Sequence, residues 1–138
     1  MVSITLKGRK IPLVYTVWEM KTIQEEIATN DRMMALITGK NPEDETDNSL
    51  YGGPEHLNVI AKLIRILGNA GLEEAGEVPD LTDKKVLRAM KPMQLVDAVN
   101  ACIDAMNDGF QSEIPEKKDE GPVDVTLEEM KKKETKDD

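Results

Sequence analysis

The feature that most constrains this chain is a junction. Residues 2–15 alternate in strand fashion, and at Thr16 the pattern switches to a helical period with no linker between. Val2, Ile4 and Leu6 fall on one face and Ser3, Thr5 and Lys7 on the other, and Ile11, Leu13 and Tyr15 resume the alternation. Gly8-Arg9, a Gly-first pair, suits a type II′ hairpin turn. Pro12 cannot donate to a ladder, so its strand lies at an edge or turns that position outward. Thr16 and Glu19 have capping-box spacing, which starts a helix directly after the second strand. A lone hairpin is marginal in water. Its apolar face must therefore pack on the first helix or the last, or pair with another subunit's hairpin.

Downstream, apolar spacing predicts helices at 17–29, 31–38, 54–69, 81–90 and 92–108. The first carries a stripe of Val17, Met20, Ile23 and Ile27; the second opens at Thr29-Asn30-Asp31 and stops at Gly39. Residues 40–53 form an acidic connection long enough to be functional or mobile. Pro54 suits the first position of the third helix, and Gly68 and Gly71 read as its end. Asp80 and Asp83 open the fourth, and Lys91-Pro92 interrupts before the fifth. Leu95, Val96, Val99, Cys102, Ile103 and Met106 line the fifth, with Gly109 as its stop and Phe110 packing back. The expected core is Ile4, Leu6, Leu13, Ile23, Ile27, Leu57, Ile60, Ile64, Leu67, Leu95, Val99, Cys102 and Ile103. The fold class is α+β: an N-terminal antiparallel hairpin, then a mainly helical domain over 1–110, then a charged, flexible acidic tail over 111–138. That tail holds ten acids and six bases with five strongly apolar residues, too few to fold alone.

The net charge of −9 disfavours nucleic acid and anionic membranes as partners. No run approaches 18 apolar residues, and the N-terminus lacks the apolar segment of a secretory signal. A single cysteine excludes an internal disulfide and fits a reducing compartment.

Catalytic constellations are missing. The one histidine, His56, reads as a surface or first-turn residue, and Cys102 as a buried small hydrophobe. One Cys and one His cannot close a zinc site, and Glu43-Asp44-Glu45-Thr46-Asp47 lacks calcium-loop spacing. Residues 71–76 have Walker-type glycine spacing, but Glu77-Val78 stands where Lys and Ser/Thr belong. No cofactor or metal is expected. An enzyme working on carboxylates alone (Glu25, Glu26 and the 43–47 cluster) is the remaining catalytic reading, and the weakest. Eight methionines either fill core gaps or form an adaptable apolar surface.

ITLKGRKIPLVYTVWEMKTIQEEI resembles the opening of siphophage and prophage tail assembly chaperones, in which a β-hairpin runs directly into a helix. The residues that carry this are Ile4-Thr5-Leu6, Gly8, Pro12-Leu13, Tyr15-Thr16 and Glu25-Glu26. LTDKKVLRAMKPMQLVDAVNACIDAMNDGF is similar to the closing helical segment of that family, while the insertion at 40–53 departs from it. The resemblance implies a non-catalytic protein of the bacterial host cytoplasm, absent from the mature virion, that binds tape measure and tail tube proteins and keeps them soluble. The alternative is a small acidic non-catalytic adaptor or regulatory domain.

For either reading the candidate contacts are Val17, Trp18, Met33, Met34, Met90 and Met93, with Leu127 and Met130 in the tail. Trp18 is the best single anchor, although core packing against the hairpin is its favoured place. The open strand edges predict self-association. Thr126 and Glu129 repeat the capping spacing, predicting a short helix that forms when docked. The resemblance also implies a longer, frameshifted form diverging near Lys131–Lys133; composition alone favours a plain solubilising tail.

Overall fold

The structure, a computed structural model, describes residues 2–44 and 46–112. An antiparallel hairpin, β1 (Ser3–Leu6) and β2 (Arg9–Pro12), precedes helices α1 (Val17–Glu26), α2 (Asn30–Ile37), α3 (Pro54–Glu74), α4 (Asp83–Arg88) and α5 (Leu95–Ser112). The protein is α+β, a two-stranded sheet followed by a mainly helical region. The expected tail lies outside the described residues, apart from Gln111 and Ser112, which belong to α5.

The hairpin turn is one residue earlier than the sequence suggests. Leu6 pairs with Arg9, so Lys7 and Gly8 are the central residues, at φ 50° and 78°. Two positive φ values make a type I′ geometry, which matches strand twist. Ile4 then faces Ile11, and Ser3 faces Pro12. Counting from the turn, Ser3–Pro12 is a non-hydrogen-bonded pair, so the missing proline donor costs the ladder nothing.

Helix α3 is the hub. Twelve of its 21 residues are buried, and it touches α1, α2, α4, α5 and β2. The hairpin packs on α3 through β2 and on α5 through β1, so the partner helix missing from the sequence reading is α3. Gly68 and Gly71 do not end this helix. They are close approaches: a Cβ at Gly71, where β2 crosses, would overlap the Pro12 carbonyl, and one at Gly68 would lie 2.7 Å from Leu81 Cδ1 and 3.3 Å from Ile11 Cγ2 of β2. The close approach lets the Val14 amide donate to the Leu67 carbonyl at 3.1 Å. The true stop is Gly76 at φ 77°, with Glu77 N–H bonded to Leu72 O and Gly76 N–H to Glu73 O.

Gly109 is likewise inside its helix, pressed on the Tyr15 carbonyl, and α5 continues past Phe110 to Ser112. The buried stripe of α5 is rotated from the expected one. Ala98, Cys102, Ala105 and Met106 are buried, Leu95, Val99 and Ile103 are half-buried, and Val96 is exposed. Small side chains at 98, 102, 105 and 109 let the helix approach the hairpin closely.

Of the expected core, Leu6, Leu13, Ile23, Ile60, Ile64, Leu67 and Cys102 are buried, and Ile4, Ile27 and Leu57 are half-buried. Met33, Leu36, Leu63, Leu72 and Val86 join them. Helix α4 is capped by Thr82, whose Oγ1 accepts from Lys85 N–H at 3.1 Å, and not by Asp80. Asp80 instead accepts from Arg9 at 3.0 Å, tying the hairpin to the α3–α4 connection; this bond holds its carboxyl below the usual range. Asn69 clamps the same connection, exchanging bonds with both the amide and carbonyl of Leu81. Arg65 on α3 reaches Glu26 of α1 at 2.6 Å and Asp83 of α4 at 2.7 Å.

Cys102 is buried, and burial pushes its thiol up from 9.0 to about 12. Burial also raises Tyr15 above 10.0. Both groups have folded values above their unfolded ones. Their contribution is complete below about pH 9 and is lost as pH rises through the folded values. The urea midpoint should therefore hold from pH 7 to 9 and fall by pH 11. The native thiol should react with an aromatic disulfide reagent roughly 10³-fold more slowly than in urea, because reaction requires opening. Rapid native labelling would show that Cys102 is reachable.

Candidate protein-binding surface

The free edge of β1 borders a groove of about 240 Å³ lined by Ser3, Ile4, Thr5, Met90, Gln94, Asp97, Ala98 and Ala101. Alternation fixes what the edge offers. Leu6 and Ile4 exchange bonds with Arg9 and Ile11, so the amides and carbonyls of Ser3 and Thr5 point away from β2. Among the described residues, no backbone bond outside the hairpin engages Ser3 or Thr5. Small Ala98 and Ala101 on α5 leave the groove open beside that edge. Met93, one residue before the groove's Gln94, is 92% exposed.

The candidate contacts do not form one site. Met90 lines the groove and Met93 stands next to it. Val17 and Trp18 are 75% and 66% exposed and sit two and three residues past Tyr15, near the Gly109 end of α5. The sixteen residues from Met93 to Gly109 separate these patches by roughly 24 Å of helix. Met33 is fully buried in the core, which removes it from any contact surface, and Met34 is half-buried. Leu127 and Met130 lie outside the described residues.

Trp18 does not pack on the hairpin. Its ring lies 4.9 Å below Lys21 Nζ, a cation–π contact in the open. The reason is phase. The capping box turns Glu19 inward, where its carboxylate accepts from the Thr16 amide at 2.9 Å, and Ile23 follows one turn later. Val17 and Trp18 are thereby rotated outward, and only Ile23 of the expected stripe is fully buried.

His56 lies in the first turn of α3, one of its two expected places, but it is buried there, 2% exposed, and not at the surface. Its Nδ1 accepts from Gly52 N–H at 2.8 Å, so Nε2 carries the proton and donates to Ile37 O at 3.0 Å. Two of its neighbours could have suggested this: the Gly52-Gly53 pair just before it and the end of α2.

The carboxylates of the catalytic reading are engaged elsewhere. Glu25 pairs with Lys21 at 2.9 Å, Glu26 with Arg65, and Glu43 with Arg32 at 2.7 Å. Asp44 and Asp47 accept from the amides of Thr46 and Ser49, two residues on in each case; the bonds from Ser49 and Asn41 hold Asp47 below the usual range. Among the described residues, no cluster of His, Cys, Asp and Glu could hold a metal ion, and no helix is long and apolar enough to cross a membrane. No family model, no curated protein and no solved structure matches the chain.

Proposed function

We propose that this chain binds a phage tail protein, tape measure or tail tube, and keeps it soluble in the bacterial host cytoplasm before the tail assembles. It acts by binding, without catalysis, and does not remain in the virion. The supporting observation is Trp18, two-thirds exposed beside an equally open Val17 on a chain of net charge −9. A large indole presented on an acidic, like-charge-repelling body can cover an apolar helical stripe and stay dispersed. The resemblance of the opening hairpin and closing helix supplies the choice of tail proteins as partners. Self-association through open strand edges belongs to the same reading, and light scattering showing dimers or larger species at high concentration is its expected signature.

The test is co-expression with a phage tape measure protein. The soluble fraction of the partner should rise with the wild-type chain and fall back with Trp18→Ala. That substitution should shift the melting temperature by less than about 2 °C, since an exposed side chain contributes little to stability. A partner equally soluble with and without the chain overturns the reading.

A further inference from the structure

We propose that the outward face of α4, with the turn that follows it, docks an acidic segment of another protein that carries a large apolar side chain among its carboxylates. The face is basic on an acidic chain. Residues 83–94 hold four bases and one acid, whereas the whole chain carries a net charge of −9. The acid, Asp83, is already engaged: it accepts from Arg65 of α3 at 2.7 Å and from Lys62 at 3.5 Å. Lys85 is engaged too, donating to the Asp80 carbonyl at 3.1 Å. Lys84, Arg88 and Lys91 are exposed and enter no ion pair among the described residues.

The fold turns these cations outward together. Val86 is fully buried and Asp83 faces α3, so the opposite side of α4 falls to Lys84 and Arg88, which are neighbours one helical turn apart. Lys91 follows in the turn, and Met93, two residues on, is 92% exposed. Unpaired cations beside an adaptable thioether complement carboxylates grouped around one apolar side chain. A protein segment fits here where a polyanion does not. Glu77 and Asp80 precede the basic run and Asp97 follows it, so a duplex or an anionic membrane extending past α4 meets those acids as well as the net charge. Residues 83–94 also hold no aromatic side chain on which a base could stack. The surface uses neither Trp18 nor the β1 edge, so the inference holds whatever those bind.

The probe is a short fluorescein-labelled peptide with Glu at i, i+4 and i+7 and one Leu between them, titrated with the full-length protein and read by anisotropy. It should bind in the ~10–100 μM range, as a small surface gives a weak contact. Affinity should fall at least ~10-fold between ~50 and ~500 mM salt. Lys84→Gln combined with Arg88→Gln should weaken binding at least ~10-fold, and Met93→Ser about 3-fold. Both variants should melt within ~2 °C of the wild type, because the altered side chains are exposed. The proposal is overturned if the peptide fails to bind at ~1 mM protein, a concentration well above the expected range. It is overturned equally if a peptide with Lys in place of Glu binds as well, or if the double variant binds undiminished. Tighter binding of a DNA duplex or of phosphatidylserine vesicles than of the peptide also overturns it, since the surface would then be a general polyanion site.

Discussion

Gly71→Ala should lower the melting temperature by about 10 °C or more, or abolish folding, although alanine is the better helix former by ~1 kcal/mol. At an ordinary mid-helix glycine the substitution stabilises. Here the added methyl lands on the Pro12 carbonyl, backbone against backbone. A side-chain neighbour could change rotamer, but a carbonyl held by the hairpin cannot move without carrying β2 away from α3. The Val14–Leu67 backbone bond would be lost with it. Overpacking of a tight contact costs about 1–3 kcal/mol, and immobile atoms put this site at or above the upper end. Thermal unfolding by circular dichroism reads the result. Gly76→Ala is the control: open space surrounds it, so its cost is only that of a left-handed φ, about 1 kcal/mol. A Gly71→Ala protein as stable as the wild type would mean that β2 does not cross α3 at this point.

The contrast between these glycines shows where sequence reasoning reaches and where it stops. Local rules worked where the decisive atoms are neighbours in the chain. The Thr16–Glu19 capping pair, Pro54 opening α3 and Gly39 closing α2 were all legible, because each depends on one turn of backbone. Glycine's freedom of φ is a local property, so the sequence alone presents Gly68, Gly71 and Gly109 as stops. Their use here is the absence of a side chain facing Leu81, Pro12 and Tyr15, which are at least 13 residues distant in sequence. The same limit misplaced the buried stripe of α5, whose small residues became the inner face because a strand lay close. Trp18 pointed outward for a local reason, the inward Glu19, but hydrophobicity outweighed phase in the reading. The groove was half-legible. Alternation assigns Ser3 and Thr5 to the outer edge of β1, whereas nothing in the sequence places α5 beside it.

His56→Ala should cost about 3 kcal/mol, the largest effect expected from a polar residue in this protein. The imidazole fills a buried site and serves two backbone groups, the Gly52 amide and the Ile37 carbonyl. Truncation leaves both unpaired and opens a cavity between the end of α2 and the start of α3. The damage should spread along residues 40–53. Tyr51 packs its ring 4.9 Å from His56 and covers Gly39, so the segment folds back on α2 only while the histidine holds its end. His56→Gln separates the terms, since a glutamine amide can still donate to Ile37 or accept from Gly52 but not span both. It should recover about half the loss. Urea unfolding gives the stabilities, and exchange at Gly52 reports the local bond. If His56→Ala cost under ~1 kcal/mol, solvent would have to reach these groups, and the histidine would be peripheral to the joint it closes.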